Sequence, residues 1–336
     1  MKILVTGGAG FIGSNLVRRL VKKFDCHEVI VLDCLTYSGN IANVIEHPKV
    51  KFCYGSILSH HVVNDLMDDV DAVVHLAAET HVTRSIHDNT TFFESEVHGT
   101  QVVASAVARH PNVERFIHVS SSEVYGSTEG KRMDEDFPMR PKSPYAAAKC
   151  GADRLIYSFF ETYNLPVVTI RPFNNYGRNQ HPEKLIPRVL TNHLQNETVT
   201  IHGDGTAARD WIHVDDTCRA IESFLFGERF RKCAGKEYNV GSGRSFSVND
   251  IIYTIEEILK VELKKKYVPD RPGQVENHIC NWDRIREDRG WKPTISLMEG
   301  LADTIEWYQS NYSWWTPLLR LRTMPIKTLD GIVQDQ

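Results

Sequence analysis

The sequence predicts an α/β fold, in which a doubly wound parallel sheet is followed by a smaller C-terminal lobe of mixed α/β structure. In the first half, short apolar runs follow one another without polar alternation. Stretches of helical periodicity separate these runs, and the regular alternation ends near residue 175. Fully apolar strands that alternate with helices are typical of a parallel sheet covered by helices on both faces.

Each predicted element of this first half follows from its residue pattern. Helical patterns are predicted at 14–23, 61–68, 94–109 and 145–163. The predicted strands are KILVT (2–6), EVIVLD (28–33), KFCYGS (51–56), AVVHLA (72–77), RFIHVS (115–120) and PVVTIRP (166–172).

The second half combines short strands with amphipathic helices. Ser247, with Asp250 three residues later, is a typical start of a helix that continues to residue 259. We therefore predict a first domain at 1–173, a second lobe at 174–315 with some chain crossing back, and a C-terminal tail at 316–336. Further predicted elements are a helix at 184–195, strands at 198–205 and 209–214, and a helix at 298–312.

Composition and charge exclude several classes of protein. The 336 residues carry a net charge of -4, which argues against a nucleic-acid partner. The seven cysteines show no CxxC spacing, which fits free thiols in the cytoplasm and predicts no metal site. No apolar run reaches the roughly 18 residues that cross a membrane, and glycines interrupt the N-terminal one, so neither a membrane span nor a signal peptide is expected.

Three glycines predict a dinucleotide site. Gly7, Gly10 and Gly13 lie between the first strand and the first helix, where a tight turn lets the backbone approach a pyrophosphate. Asp33 ends the second strand, where an acid would bind the diol of an adenosine ribose. A carboxylate there would repel a 2′-phosphate, so the pattern favours NAD over NADP and a Rossmann-type domain.

Two further patterns predict catalysis. Tyr145 and Lys149 are one helical turn apart, which places both side chains on one face of a helix. An ammonium group beside a phenol stabilises the phenolate, so Tyr145 is a candidate base. The run HVSSSEVYG (118–126) ends a predicted strand, and parallel strands present functional groups at their carboxyl ends.

Together these motifs resemble the extended short-chain dehydrogenase/reductase family that acts on nucleotide sugars. TGGAGFIG, Asp33, HVSSSEVYG, SPYAAAK, RPFNNYG and RDWIHVDD carry the resemblance over about residues 1–312. It implies an NAD-dependent enzyme with a nucleotide-diphosphate-sugar substrate, and a homodimer built on the helices at 94–109 and 145–163. LDCLTYSGN, AAETHVTRS, NNYGRNQHPEKLIPR and DRPGQ are most similar to dTDP-glucose 4,6-dehydratases.

The resemblance also assigns catalytic roles. Ser121 and Tyr145 would hold the sugar 4-hydroxyl, Lys149 would bind the nicotinamide ribose, and Glu123 would remove the C5 proton. Ser122 stands where dTDP-glucose 4,6-dehydratases carry an acidic Asp, which protonates the departing C6 hydroxyl. A hydroxyl-Ser-Glu pattern also occurs in GDP-mannose 4,6-dehydratases and in UDP-glucuronate decarboxylases.

We therefore predict a nucleotide-sugar 4,6-dehydratase, a lyase. The alternatives are a UDP-glucuronate decarboxylase, a 4-epimerase of the same family, and a non-catalytic regulator that binds NAD or nucleotide sugars. Glu123 argues against an epimerase, and the presence of Ser121, Glu123, Tyr145 and Lys149 together argues against a regulator.

The remaining site residues are likewise implied by the resemblance. Ser56, Thr83 and Gln274 depart from the residues expected there, namely an Asp beside adenine, another Asp and a His. Substrate contacts are expected from Thr80, Asn174, Lys184, Leu185, Arg209 and Arg271. Cofactor contacts are expected from Gly7, Gly10, Phe11, Ile12, Gly13, Asp33, Ser38, Asn40, Ser56, Ile57, Leu76, Ala77, Ala78, Tyr145 and Lys149.

Overall fold

The computed structural model describes residues 1–23, 28–128, 130–269 and 276–322, together with the backbone of two short strands at 325–327 and 333–335. In chain order the strands are β1 (Lys2–Thr6), β2 (Glu28–Asp33), β3 (Val50–Tyr54), β4 (Ala72–His75), β5 (Arg115–Val119), β6 (Val167–Pro172), β7 (Asn174–Tyr176), β8 (Val199–His202), β9 (Ala208–His213), β10 (Glu237–Val240), β11 (Ser245–Ser247), β12 (Lys265–Val268), β13 (Pro325–Lys327) and β14 (Val333–Asp335).

Helices connect most of these strands. They are α1 (Phe11–Lys23), α2 (His60–Asp65), α3 (Val82–His87), α4 (Thr90–Phe93), α5 (Thr100–Arg109), α6 (Pro144–Tyr163), α7 (Leu185–Leu194), α8 (Val214–Leu225), α9 (Val248–Leu259), α10 (Asp283–Arg289), α11 (Leu297–Ser310) and α12 (Tyr312–Trp315). A π-helical segment, Glu94–Gly99, lies between α4 and α5, and a 3₁₀ turn, Ser122–Tyr125, follows β5.

Seven strands form the large sheet, in the order β10-β6-β5-β4-β1-β2-β3, and all neighbouring pairs are parallel. Apolar side chains fill both faces, because alternate residues of a strand point to opposite sides. Leu4 points to the face that packs with α2, α5 and α6, and Val5 points to the face that packs with α1 and α8. The sheet is therefore doubly wound, which confirms the predicted fold class.

The second lobe has its own core. Side chains of α7, α9 and α11 pack there with those of β8, around buried residues such as Ile186, Ile251 and Leu301. The strands β7, β9 and β11 form one small sheet, and β8 pairs with β12 in another. The side chain of Ser247 and that of Asp250 each accept a hydrogen bond from the other's backbone N–H, so a reciprocal cap starts α9.

Two elements of the second half, neither of them predicted individually, lie at the large sheet, and one predicted helix differs from its prediction. The seventh strand, β10, comes from the second half of the chain and pairs with β6 at the edge of the large sheet. Helix α8 also returns to this sheet and packs against α1. The helix predicted at 94–109 is not α-helical throughout, since its first six residues form the π-helical segment. Within the described residues, no helix is long and apolar enough to cross a membrane.

Candidate active site

A cleft of about 880 Å³ opens at the carboxyl ends of the large-sheet strands and extends to the second lobe. Segments that follow β1, β2, β4, β5 and β6 form one side of this cleft, and residues of β8 and β9 form part of the other. All the predicted site residues within the described ranges line the cleft except Asn40. Arg271 and Gln274 lie outside the described residues.

The glycine turn closes one end of the cleft. Gly7 has a φ of +72°, and a Cβ atom built on it would lie 2.6 Å from the backbone nitrogen of Ala77. A Cβ atom on Gly13 would lie 2.3 Å from the carbonyl oxygen of Gly7. Side chains at these two positions would collide with backbone atoms, so the sequence must provide glycine there.

Asp33 is held against the glycine turn at the end of β2. Its Oδ2 accepts a hydrogen bond from the backbone N–H of Ala9 (3.0 Å), and its Oδ1 accepts one from Leu35 (2.8 Å). Burial raises the pKa of the Asp33 carboxyl, and these two hydrogen bonds oppose the rise. Asn40 has a structural role instead. Its side chain caps the short 3₁₀ turn at Ile41–Asn43 by accepting a hydrogen bond from the backbone N–H of Ala42 (3.0 Å).

These residues fit a dinucleotide such as NAD. The turn from Gly7 to Gly10 leads directly into α1, whose N-terminus at Phe11 lines the cleft, as a pyrophosphate requires. Each carboxyl oxygen of Asp33 accepts one backbone hydrogen bond and retains a lone pair for a ribose hydroxyl. When bound, NAD would supply the acceptor and donor for hydride transfer.

The strand end after β5 forms the middle of the cleft. Ser121, Ser122 and Glu123 all line it, and the first two are buried. Ser121 is the N-cap of the following 3₁₀ turn, and its Oγ accepts a hydrogen bond from the backbone N–H of Glu123 at 3.2 Å. Ser120, although buried nearby, has no hydrogen-bond partner for its hydroxyl within the described residues.

Tyr145 enters the cleft from the first turn of α6. Ser143 caps this helix by accepting a hydrogen bond from Ala146 (3.1 Å), and Pro144 occupies the first helical position, where no N–H donor is needed. The hydroxyl of Ser85 accepts a hydrogen bond from the backbone N–H of Tyr145 (3.1 Å), which fixes the residue against α3. Both contacts hold the phenol in place at the cleft wall.

Lys149, which is expected to stabilise the phenolate of Tyr145, lies one helical turn beyond it on α6. Burial raises the pKa of the Tyr145 phenol, the charges of Glu96 and Glu123 add to the rise, and a hydrogen bond with Ser121 opposes it. Lys149 itself has a buried carboxylate partner. Its Nζ lies 2.7 Å from Oε2 of Glu96, so a buried carboxylate offsets the ammonium charge.

The second lobe contributes basic and amide groups to the cleft. Asn174 on β7, Arg209 on β9 and Lys184 before α7 all line it, as predicted. Lys184 Nζ donates a hydrogen bond to the carbonyl oxygen of Thr80 at 2.7 Å and thereby connects the second lobe to the large-sheet domain. The basic groups of Lys184 and Arg209 suit the diphosphate of a nucleotide sugar, and Lys184 also lies 3.6 Å from the carboxylate of Glu183.

A cluster around Glu183 was missed by the sequence analysis. The Glu183 carboxylate is buried and accepts a hydrogen bond from the Tyr37 hydroxyl at 2.9 Å. The guanidinium of Arg84 lies 3.5 Å from Glu183 and 3.9 Å from the centre of the Tyr37 ring. Arg84 belongs to the run THVTRS and Glu183 to the run HPEKLIPR. Both runs are among the stretches that carry the family resemblance, and this could have indicated that the two residues belong to the site. Thr83, also in the first motif, is buried and lines the cleft.

Fold and site together define an NAD-dependent enzyme of the extended short-chain dehydrogenase/reductase class. The model of the family described as GDP-mannose 4,6 dehydratase matches residues 4–304. The chain therefore belongs to the GDP-mannose 4,6 dehydratase family.

Three relatives illustrate the similarity. A dTDP-glucose 4,6-dehydratase of Streptomyces niveus is 41% identical over 329 residues, which are 95% of this chain and 96% of the relative. The crystal structure of DesIV, a dTDP-glucose 4,6-dehydratase from Streptomyces venezuelae with NAD and TYD bound, is 41% identical with a TM-score of 0.90, and the match covers 95% of this chain and 100% of that chain. The crystal structure of a UDP-glucuronic acid 4-epimerase from Bacillus cereus, in complex with UDP-glucuronic acid and NAD, is 30% identical with a TM-score of 0.87. The match covers 92% of this chain and 99% of that chain.

Proposed function

We propose that this protein is an NAD-dependent 4,6-dehydratase that converts a nucleotide-diphosphate hexose to the 4-keto-6-deoxyhexose. One observation carries the proposal. Ser121, Glu123 and Tyr145 line the same cleft as the glycine turn, so groups for oxidation at C4 and for elimination across C5 and C6 face one sugar. Membership of a dehydratase family supports this reading.

The first stage is oxidation at C4. Tyr145 takes the proton of the 4-hydroxyl, and Ser121, already aligned by its hydrogen bond from Glu123, holds the same oxygen. Lys149 lies one helical turn beyond Tyr145, where it would contact the nicotinamide ribose. Bound NAD would supply the hydride acceptor for C4 and, after elimination, the hydride donor for C6.

The second stage is loss of water. The 4-keto group makes the C5 proton acidic, and Glu123 takes it. Ser122 is a poor proton donor compared with a carboxylic acid, because a hydroxyl has a far higher pKa. We infer that Glu123, having taken the proton from C5, passes it to the C6 hydroxyl, which leaves as water, so that Glu123 serves as base and then as acid. After hydride is returned to C6, C5 takes a proton from solvent through Glu123, and Tyr145 releases to solvent the proton that it took from the 4-hydroxyl.

The substrate class follows from the second lobe. Arg209 and Lys184 offer the charges that a diphosphate requires, and Arg271 is proposed to join them. The dTDP-glucose 4,6-dehydratases among the relatives make dTDP-glucose the first substrate to test. In this proposal residues 1–173 bind the cofactor and residues 174–315 bind the nucleotide sugar.

The test is the mass of the product. The purified protein is incubated with NAD and, in separate reactions, with dTDP-glucose, UDP-glucose, GDP-mannose, UDP-GlcNAc and UDP-glucuronate. Loss of one water from a hexose supports the proposal. Loss of carbon dioxide from the uronate would identify a decarboxylase, and a product of unchanged mass with inverted C4 would identify an epimerase; either result overturns the proposal.

We also infer a homodimer and a cytoplasmic location. Helix α6 leaves Tyr157 and Tyr163 exposed, at 43% and 62% of their surface, and a partner's α5 and α6 would cover them. The six described cysteines are free thiols, which fits a reducing compartment. Sedimentation analysis tests the dimer, and a Tyr157→Glu variant is expected to shift it toward the monomer.

A further inference from the structure

Asn43, behind the glycine turn, is a buried amide that has no part in the cofactor site described so far. It ends the short 3₁₀ turn after β2 and exposes only 2% of its surface. Its Nδ2 donates a hydrogen bond at 2.9 Å to the carbonyl oxygen of Ala9, in the middle of the glycine turn. Neither residue lines the cleft, so this contact supports the turn from the side that faces away from the cleft.

The backbone of Ala9 is fixed at both of its polar groups. Its N–H donates to Oδ2 of Asp33 at 3.0 Å. Its carbonyl oxygen accepts from the Asn43 side chain and, at 3.1 Å, from the backbone N–H of Asn40. The peptide group between Ala9 and Gly10 therefore cannot turn its oxygen toward the cleft without breaking two hydrogen bonds. A carbonyl oxygen that faced the cleft would repel the negative charge of a pyrophosphate.

The second half of the chain holds the other end of the Asn43 amide. Oδ1 accepts one hydrogen bond from the indole Nε1–H of Trp314 at 2.8 Å and another from Nδ2 of Asn179 at 2.9 Å. The indole N–H can only donate and the Ala9 carbonyl can only accept, so these partners determine which way the amide points. A buried amide whose hydrogen bonds are satisfied in this way holds the groups that it joins in a fixed arrangement.

The partners of Asn43 are themselves tied to other elements. The guanidinium of Arg18, on α1, donates to Oδ1 of Asn179 and, at 3.3 Å, to the backbone carbonyl of Asn43. Trp314, on α12, packs edge to face with Trp307 of α11 at 4.9 Å between ring centres, and both rings lie against the core of the second lobe. Trp314 is 271 residues away from Asn43 in the chain. One side chain thus connects the second lobe to the glycine turn.

We propose that Asn43 is a positioning residue for the cofactor: it holds the glycine turn in the conformation that binds NAD, and Trp314 holds Asn43, so helix α12 contributes to NAD affinity without lining the cleft. The proposal goes beyond the dehydratase function, because it concerns the cofactor site whatever sugar reacts there. If the turn leaves its binding conformation for part of the time, the apparent Kd of NAD rises in inverse proportion to the population that remains competent.

The first experiment is a calorimetric titration of the purified protein, freed of bound nucleotide, with NAD. Trp314→Phe keeps an aromatic ring on α12 and removes the N–H donor, so Kd is expected to rise about fivefold, the usual weight of one hydrogen bond. Trp307→Phe is the matched control, because it removes an indole from the same aromatic pair and leaves the bond to Asn43 in place. Its Kd should equal that of the natural protein. An unchanged Kd in Trp314→Phe, or an equal rise in both variants, would overturn the proposal.

A second titration tests whether Trp314 acts through Asn43. Asn43→Leu removes the amide at nearly unchanged side-chain size and is expected to raise Kd by at least about tenfold. Adding Trp314→Phe to Asn43→Leu should then raise Kd no further, since the group through which Trp314 acts is already gone. A second fivefold rise in the double variant would contradict the proposed route. If Asn43→Leu does not fold, Trp314→Phe and its control still decide the proposal.

Melting temperatures separate positioning from a general loss of stability. Without NAD the two tryptophan variants are expected to melt at similar temperatures, because each loses one indole from the same pair. At one fixed NAD concentration the rise in melting temperature should be smaller for Trp314→Phe than for Trp307→Phe, as a weaker Kd requires. Equal rises would refute the positioning role. Neither titration nor melting needs a sugar, so a protein that turned over no nucleotide sugar would end the dehydratase proposal and leave this test unaffected.

Discussion

The Oγ atom of Ser121 accepts a hydrogen bond from the backbone N–H of Glu123 at 3.2 Å. The same hydroxyl also makes a hydrogen bond with the phenol of Tyr145, so the two groups proposed to hold the sugar 4-hydroxyl lie side by side. The contact with Glu123 starts the 3₁₀ turn that carries this residue away from β5. One hydrogen bond thus fixes the relative placement of the group proposed to hold the 4-hydroxyl and the group proposed to act at C5.

Glu123→Gln is expected to separate the two stages of the reaction. The variant should still reduce bound NAD transiently, since C4 oxidation depends on Tyr145 and not on Glu123. The rate of formation of the dehydrated product should fall by at least about 100-fold, as is typical when a general base is lost. Absorbance of the reduced cofactor follows the first stage, and product mass follows the second. Glu161→Gln, an exposed change on α6, is the control. Turnover of Glu123→Gln at the natural rate would refute the assigned role.

Ser122→Ala tests whether the Ser122 hydroxyl supplies the departing proton. If Glu123 serves as both base and acid, the alanine variant should retain kcat to within about 10-fold, well short of the loss expected for a missing acid–base group. The kcat of this variant is compared with that of Glu123→Gln, which changes the adjacent residue of the same 3₁₀ turn. A loss in Ser122→Ala as large as that in Glu123→Gln would assign the acid role to the serine instead.

Gly13→Ala is expected to weaken NAD binding by at least about 10-fold, because its Cβ would lie 2.3 Å from the carbonyl oxygen of Gly7 and would deform the pyrophosphate turn. Calorimetric titration with NAD measures the effect. Gly290→Ala is the control. Gly290 has a φ of +66°, unlike the helical Gly13, but a Cβ atom on it would meet no atom within 4 Å at the end of α10. Equal NAD affinity in Gly13→Ala and the natural protein would contradict the proposed turn.

The pair of Asp153 and Arg171 gives a stability that depends on pH. Arg171 donates to both oxygens of Asp153 at 2.8 Å, and both side chains are buried. Burial alone would raise the pKa of Asp153, but the hydrogen bonds and charge of Arg171 hold it well below the ordinary value of 3.8. A depressed carboxyl pKa stabilises the folded state above that ordinary value, and the stabilisation is lost as the pH falls toward the folded-state pKa.

Asp153→Asn is therefore expected to lower the free energy of unfolding by about 2–3 kcal/mol at pH 7, because the buried Arg171 loses its charge-assisted hydrogen bonds to Asp153 and retains the more distant carboxylate of Glu237, at 3.4 Å. The difference from the natural protein should narrow below about pH 4. Chemical denaturation of both proteins at several pH values measures this difference in the free energy of unfolding. Asp69→Asn, which removes an exposed partner 3.6 Å from Lys2, should have little effect at any pH. A difference that stays constant from pH 7 to pH 3 would exclude the linkage.

The parts of the fold that the sequence predicts well are local. The glycine turn and the capped start of α6 at Ser143–Pro144 each follow from a few adjacent residues whose chemistry dictates the backbone. The seventh strand, β10, could not be predicted in this way. Its place beside β6 depends on contacts across more than sixty residues of intervening chain.

The same distinction applies to the site. Tyr145 and Lys149 are found from helical spacing, and Ser121 and Glu123 from a strand end. Glu96 gives no such signal, because its sequence fits an ordinary amphipathic helix and only the π-helical turn brings it to Lys149.

The most direct test of the dehydratase mechanism uses a substrate labelled with deuterium at C4. If the hydrogen removed from C4 is returned to C6 within one catalytic cycle, the product should have lost one water and should carry the deuterium at C6, as seen by mass spectrometry and NMR. Deuterium found again at C4 in a product of unchanged composition, or loss of carbon dioxide in place of water, would contradict the account.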